Sequence, residues 1–556
     1  MKEIPPMTQI VGYQIAKALA DFGVTTIFGV ISIHNMPILD GIARQGRIRF
    51  VPSRGEAGAM NMADAYARVS GKLGVVLTST GTAAGNAAGA QAEALTAGSR
   101  VLHITTQIDR QFMDRDRAAI HDVPKQPAML SGLSKAVFRI WDEKGVIGTL
   151  DAAVRAASTA PTGPVSLEIP IDVQHLEAIS DQKARPPRTA LPPVDEDAVN
   201  QLAELVRAAK RPMLWLGGGA RNAGKEALAL VERGFAAVTS TQGRAVVPET
   251  HPATLGAFNM TPQARAIYAR CDLMIVVGSR LRGNETQNNQ MELPAPLVQI
   301  DVEPSQAGRN YPVDLFLCSD AAQTLAALLA RLPDTLATDP QLAHDIAIAR
   351  AQSEGQLRSG LGPYQQIADH LLSMVPAGRH PWVRDITISN STFGNRYVQI
   401  AAPHLGVHAL GGGIGQGIAM AIGAAIAAPE SRTIALIGDG GAQLGMAELI
   451  TAVDEGLDIT YILMNDAAYG VIENIQDAQY EGRRHFSKLK TPDFGTLCKA
   501  IDMPHSKAAA SEDFAALFDA TLAVNGPAMI EVDMVSIGPF ATVFAGPPAG
   551  AAGGAR

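Results

Sequence analysis

Two stretches decide how this chain folds: Thr433-Ile434-Ala435-Leu436-Ile437-Gly438-Asp439-Gly440-Gly441 and, 24 residues after Gly441, Asn465-Asp466-Ala467-Ala468-Tyr469-Gly470. The apolar run Thr433–Ile437 leads into Asp439, and a second run, Ile459–Met464, leads into Asp466. Neither run alternates polar with apolar residues, so each predicts a strand buried on both faces, as in a parallel sheet covered by helices. A helical pattern over Met446–Glu455 lies between them. Asp439 and Asp466 therefore stand beyond the carboxyl ends of successive strands, where doubly wound sheets bind ligands. Oxygen donors of this kind suit a hard cation such as magnesium, whose shell is commonly completed by phosphate oxygens. Gly438, Gly440 and Gly441 allow close approach of the backbone to a phosphate, and a helix N-terminus there favours its negative charge. A lone Gly-Asp-Gly is a common turn; the Asn-Asp pair at this spacing makes the metal–diphosphate reading specific.

The same alternation extends outward. Leu73–Thr78 and Val101–Thr105 read as buried strands on either side of a small-residue helix, Ala83–Ala97, and Met213–Leu216, Leu273–Val277 and Leu297–Val302 as further strands. The expected fold class is α/β, with three doubly wound parallel-sheet domains. Proline- and charge-rich residues 181–195 and a weakly helical, polar stretch at 331–359 read as linkers. They divide the chain into 1–180, 190–335 and 360–545, with a Gly/Ala/Pro-rich flexible tail at 546–556.

With 556 residues, 47% hydrophobic and 18% charged, the chain has the composition of an ordinary globular protein of several domains. A formal net charge of −8 provides no basic footprint for nucleic acid. No apolar run is long enough to span a membrane. Cys271, Cys318 and Cys498 are dispersed, which excludes a disulfide framework or zinc cluster and fits a cytoplasmic setting.

The Gly-Asp-Gly…Asn-Asp pair resembles the signature of thiamine-diphosphate enzymes, in the branch containing acetolactate synthase, benzoylformate decarboxylase and pyruvate decarboxylase. The resemblance runs along nearly the whole chain. It includes Arg54-Gly55-Glu56-Ala57-Gly58-Ala59, Met62-Ala63-Asp64-Ala65-Tyr66-Ala67-Arg68 and Gly71-Lys72, then Gly163-Pro164-Val165 with Ile169-Pro170-Ile171-Asp172. It implies pyrimidine-binding, middle and diphosphate-binding domains in that order. It further implies that Asp439, Asp466 and the Ala468 carbonyl ligate magnesium, with Gly438, Gly440, Gly441 and Tyr469 beside the diphosphate. Asp466 departs from the pattern, which usually has a second Asn there. Ile414, 25 positions before Asp439 in Gly411-Gly412-Gly413-Ile414-Gly415, corresponds to the apolar residue that holds the cofactor bent, and Gly412 to a carbonyl acceptor for its amine. Ser391 and Thr392, read as ending a strand, are expected to offer hydroxyls to the diphosphate. Glu56 corresponds to the activating glutamate: a carboxyl group bonded to the aminopyrimidine ring favours the tautomer that takes up the cofactor's own C2 proton. An apolar pocket would raise its pKa toward that task.

The resemblance also implies that Glu56 reaches a cofactor held by a second subunit, giving a homodimer or homotetramer. The expected activity is acetolactate-synthase-like carboligation of 2-oxo acids. The alternatives are non-oxidative decarboxylation, an FAD-linked oxidase and a non-catalytic paralogue. FAD is allowed but not expected, because Gly278–Gly283 lacks the acidic pair associated with flavin-binding relatives. Three segments should face the substrate: Phe28–His34, Ser79–Asn86 and Ala119–Asp122. His34 and His121 are the acid/base candidates, since imidazole titrates near neutrality. Arg384, Arg483, Arg484 and His485 read as a charged solvent face.

Overall fold

A computed structural model describes residues 10–179, 184 and 191–544. Most of the expected 181–195 linker and the 546–556 tail lie outside these residues. The strands form three parallel sheets. The first contains β1 (Thr26–Gly29), β2 (Arg49–Pro52), β3 (Gly74–Thr78), β4 (Val101–Gln107), β5 (Ala136–Arg139) and β6 (Val165–Pro170), in the order β2-β1-β3-β4-β6-β5. The second contains β7 (Pro212–Leu216), β8 (Ala236–Thr239), β9 (Leu273–Val277), β10 (Leu297–Asp301) and β11 (Leu315–Cys318), in the order β11-β10-β9-β7-β8. The third contains β12 (Trp382–Arg384), β13 (Gly406–His408), β14 (Thr433–Gly438), β15 (Ile459–Asn465), β16 (His505–Ala508) and β17 (Ala528–Asp533), in the order β13-β12-β14-β15-β17-β16. Strands β3, β4, β9 and β14 are buried along their whole length, which accounts for the apolar runs of β3, β9 and β14, while β4 also buries polar side chains such as His103 and Gln107.

In each sheet the connections of one pair of neighbouring strands leave in opposite directions, at β1/β3, at β7/β9 and at β12/β14. Loops leaving neighbouring strands at such a point diverge to opposite faces and open a crevice beyond the carboxyl ends. Topology alone thus marks the segments after Gly29 and Thr78, after Leu216 and Val277, and after Arg384 and Gly438.

The first and third domains share one core. Helix Glu56–Ser70 packs on helix Gly417–Ala427 so closely that a side chain at Gly423 would lie 2.0 Å from the Met62 carbonyl oxygen. Ala59, Met62, Ala63 and Tyr66 join Ile418, Ile422 and Ile437 in the resulting cluster. The middle sheet is covered by clusters of its own residues.

The stretch expected as a linker at 331–359 contains a 19-residue helix, Leu342–Gly360. Its apolar stripe is narrow: Leu342, Ile346 and Ala349 recur at helical spacing and pack with Met213, Trp215 and Tyr268 of the middle domain. So sparse a stripe on a polar helix is why the sequence resembled a linker.

Candidate active site

In the third domain, β14 ends at Gly438 and the next residue, Asp439, opens a short helix. Asp439 is buried, and its Oδ2 has no hydrogen-bond partner. Burial and the neighbouring carboxylate of Asp466, at the end of β15, push its pKa up to about 7. Asp466 is also raised, by burial first. Two neighbouring carboxyl groups, Asp439 buried with one oxygen unpartnered and Asp466 partly buried, form an anionic site that a small divalent cation would neutralise. Among the described residues no group of three or more His, Cys, Asp or Glu side chains could hold a metal. The set predicted here uses two carboxylates and a main-chain carbonyl. Ala468, which would supply that carbonyl, is buried, and Asp466 Oδ1 accepts its N–H at 3.2 Å. Glycine is required beside this pair: a Cβ on Gly440 would lie 2.6 Å from the Tyr469 ring, and one on Gly470 would lie 2.1 Å from Asp466 Oδ2.

The loop Leu410–Gly417 lies beside the metal motif, since a Cβ on Gly415 would meet Leu444 at 2.6 Å. Gly412 and Gly415 both have positive φ, +79° and +88°, which glycine adopts without cost. Ile414 is 38% exposed, an apolar side chain without full cover. Sequence reading missed Asp385, directly after β12. It is fully buried and accepts N–H bonds from Ile386, Gly415 and Gly417. Burial pushes its carboxyl up to about 6.

Two expectations are corrected here. Ser391 and Thr392 do not end a strand: β12 stops at Arg384, and Asn390–Gly394 forms a single wide helical turn. The Thr392 hydroxyl donates to the carbonyls of Ile388 and Ser389, so it is occupied by its own turn. Arg384 is not on a solvent face. It is 1% exposed, and its guanidinium donates to the Gly394 and Val407 carbonyls. Arg483, Arg484 and His485 do lie on an exposed face, with Arg484 paired to Asp477 and Glu473.

In the first domain, Glu56 is the first residue of helix Glu56–Ser70 and is half-buried; Asn86 Nδ2 donates to its Oε2 at 3.1 Å. The expected apolar enclosure is therefore incomplete within one chain. Glu448 of the third domain, also missed in the sequence, fixes the start of this helix. Its carboxylate accepts the N–H groups of Arg54 at 3.1 Å and Gly55 at 3.0 Å, and burial pushes its pKa up. A Cβ on Gly58 would lie 2.1 Å from Glu448 Oε1, so glycine there makes room for the carboxylate.

The three segments marked as substrate-facing converge. The rings of His34 and His121 stand edge to face, centroids 5.1 Å apart. His34 is buried, its Nδ1 is unpartnered, and burial together with His121 lowers its pKa. The His121 carbonyl approaches Gly81 (φ +63°) so closely that a Cβ there would be 2.3 Å away. Gln126 locks this arrangement, accepting from the Gly81 N–H at 2.6 Å and the Thr80 hydroxyl at 3.2 Å. The site residues thus form two sets: Glu56, Asn86, His34 and His121 at the β1/β3 crevice, and Asp439, Asp466 and Gly412–Ile414 at the β12/β14 crevice.

The third crevice, at β7/β9, opens into a cleft of about 780 Å³ that also touches the first and third domains. Its walls include Gly218, Gly219, Arg221, Arg280, Arg282 and Asp301. Burial, with the nearby charge of Arg68, lowers the pKa of Arg221 to about 10, and the charge of Asp64 offsets this only in part.

Comparison with known proteins agrees with this three-part construction. Residues 10–129 match the thiamine pyrophosphate enzyme N-terminal TPP binding domain, 199–328 the central domain, and 388–532 the C-terminal TPP binding domain. The chain is 31% identical to "Probable 2-ketoarginine decarboxylase" of Pseudomonas aeruginosa, over 84% of each chain. It is 26% identical to the acetolactate synthase large subunit of Corynebacterium glutamicum, over 88% of this chain and 80% of that one. With the acetolactate synthase isozyme 1 large subunit of Escherichia coli the identity is 27%, over 84% of this chain and 83% of that one. The chain belongs to the family of thiamine-pyrophosphate-dependent enzymes.

Proposed function

We propose that this enzyme uses thiamine diphosphate and magnesium to cleave the bond between the carboxyl and carbonyl carbons of a 2-oxo acid, with protonation as the preferred outcome. The cofactor reading rests on one observation: two neighbouring carboxyl groups, one buried with an unpartnered oxygen and one partly buried, end adjacent strands beside a loop with an exposed apolar side chain. Asp439, Asp466 and the Ala468 carbonyl would hold magnesium, which offsets the diphosphate charge. When bound, thiamine diphosphate would supply the carbanion of a carbon acid as the nucleophile for the 2-oxo carbonyl and an electron sink for the pair left by carbon dioxide. Glu56 holds a proton at the aminopyrimidine. Ile414 supports the cofactor and keeps water from one side of it. His34 and His121 provide the proton that the departing carboxylate makes necessary, and burial of His34 favours its neutral form over a stored charge.

Acetolactate-synthase-like carboligation is the second reading. In it a second carbonyl carbon takes up the electron pair, and it is supported by the acetolactate synthase relatives. Decarboxylation is favoured because two imidazoles, His34 and His121, stand ring to ring where a proton could be passed on, and the Pseudomonas relative bears a decarboxylase name.

A homodimer or homotetramer completes the site in this reading, with the β1/β3 set of one subunit facing the β12/β14 set of the other. Ile31, Ile33, Ile120 and Leu444 stand exposed, apolar surface that a second copy would cover. The three cysteines are free, in keeping with a cytoplasmic setting. No helix among the described residues is long and apolar enough to cross a membrane.

The test is a panel of 2-oxo acids, 2-ketoarginine included, supplied with thiamine diphosphate and magnesium, followed by carbon dioxide release and product NMR. Wild type should turn over at least one acid, and Glu56→Gln should lose about a hundredfold or more. Aldehydes as products support decarboxylation; acyloins or acetohydroxy acids support carboligation. Absence of turnover across the panel, with Glu56→Gln binding cofactor as wild type does, refutes the reading. Light scattering reports the oligomer. Absorbance of the purified protein near about 450 nm decides whether the arginine-lined cleft carries a flavin, which decarboxylation without redox change does not need.

A further inference from the structure

Asp64, Arg68 and Glu93 form a buried charged cluster between helices Glu56–Ser70 and Thr82–Ala97, and no role assigned above involves it. Arg68 Nε donates to Asp64 at 2.9 Å, its Nη2 to Glu93 at 2.8 Å, and its Nη1 to the His408 carbonyl at 2.6 Å. Two carboxylates thus face one guanidinium, and Asp64 alone would satisfy the charge of Arg68. An excess buried carboxylate is costly unless other donors meet it. Glu93 meets them on the third domain: Leu410 N–H donates to its Oε1 at 2.7 Å and Gly411 N–H to its Oε2 at 2.6 Å.

These amides begin the loop that carries Gly412 and Ile414. The far end of the same loop is held by Asp385 through the Gly415 and Gly417 amides, each at 3.1 Å. The loop is therefore fastened at both ends by buried carboxylates from different domains. The segment between them has a positive-φ glycine and the partly exposed Ile414.

We infer that Glu93 is a positioning residue for thiamine diphosphate, fixing across the domain boundary the loop from which Gly412 and Ile414 meet the cofactor. This rests on the assignment of that loop under the proposed function. Charge-assisted bonds to main-chain amides set position more firmly than neutral ones, because they are shorter and stronger. Apolar packing of the two helices provides the attachment between domains; the Glu93 bonds provide the register of the loop.

The test is calorimetric titration of thiamine diphosphate into the full chain with saturating magnesium, alongside thermal unfolding. In Glu93→Gln one of the two loop amides faces the new side-chain amide, donor against donor. The dissociation constant should rise about 10- to 100-fold, the usual effect of losing a residue that orients a ligand-binding group. The KM for the 2-oxo acid at saturating cofactor should stay at the wild-type value. Gly411→Ala guards against a Glu93→Gln variant that fails to fold. It keeps every charge but puts a Cβ 2.8 Å from Glu93 Oε2, and should weaken cofactor binding in the same direction. Asp64→Asn, which touches Arg68 but not the loop, should lower the unfolding temperature and leave the cofactor constant unchanged. Wild-type affinity in both Glu93→Gln and Gly411→Ala overturns the inference, as does an equal loss in Asp64→Asn. If wild type itself fails to bind thiamine diphosphate, the proposed function falls and takes this inference with it.

Discussion

Replacing His103 by glutamine isolates the cost of burying an ionisable ring in the first sheet. His103 lies on β4, fully buried. Gln91 turns its Oε1 toward His103 Nδ1 at 2.8 Å, while its Nε2 donates to the Ser134 and Ser166 hydroxyls at 2.6 and 2.9 Å. An oxygen acceptor at Nδ1 assigns the proton to that nitrogen, leaving Nε2 free to accept at 2.9 Å from Thr78, the last residue of β3. The ring is satisfied when neutral. Burial lowers its pKa from 6.5 to about 4. The sign follows from that depression. The stability contribution is complete above the unfolded value near 6.5 and is lost as pH falls toward 4, because only the unfolded chain takes up the proton in that window. At about 1.4 kcal/mol per pH unit, the full difference is about 3 kcal/mol, mostly expressed by about pH 4.5. Urea unfolding of wild type and His103→Gln at about pH 7.5 and about pH 4.5 measures it. The variant should be less stable than wild type at the higher pH, and its loss on acidification should be smaller by about 2–3 kcal/mol. An equal loss in both proteins would refute the reasoning.

Gly440→Ala should weaken thiamine diphosphate binding about tenfold or more, because its Cβ displaces the Tyr469 ring; calorimetry measures this. Asp466→Asn keeps an oxygen donor and should retain magnesium-dependent activity, whereas Asp466→Ala should raise the magnesium concentration needed for activation about tenfold or more. Gly58→Ala pushes against the Glu448 carboxylate that caps the Glu56 helix; it should lower kcat without changing substrate KM, read from steady-state kinetics.

What the sequence disclosed is what sits close together in it. Strands β9 and β14 were visible because strands buried on both faces carry nearly continuous apolar runs. The Asp439–Asp466 pair was visible because successive parallel strands turn a fixed spacing into adjacency. Helix Leu342–Gly360 was harder, since only three buried apolar positions distinguish it from a polar linker. The turn at Asn390–Gly394 was mistaken for a strand end because β12 is only three residues long and its flanking polar residues are buried. Arg384 was misplaced for a related reason: a buried arginine bonded to carbonyls has the same local sequence as an exposed one. Glu93, Glu448 and Asp385 could not be found, because each acts on main-chain amides, 317 residues away for Glu93 and Leu410 and 30 and 32 away for Asp385 with Gly415 and Gly417. Main-chain partners leave no complementary residue type to search for. The meeting of His34 with His121 likewise depends on which loops leave the strands at the β1/β3 crevice, a property of strand order.

The continuous core shared by the first and third domains limits how this protein can be recombined with others. A crossover after the first sheet would import a helix in place of Glu56–Ser70 that must pack against Gly423 so closely that a Cβ there would lie 2.0 Å from a main-chain oxygen, so the two helices have to travel as a matched pair. The middle domain is enclosed by its own apolar clusters and tied to the third by polar bonds, Arg244 donating to the Asn395 and Val398 carbonyls and Glu249 accepting from the Ile400 N–H, so an exchange of this domain between relatives has those bonds to preserve.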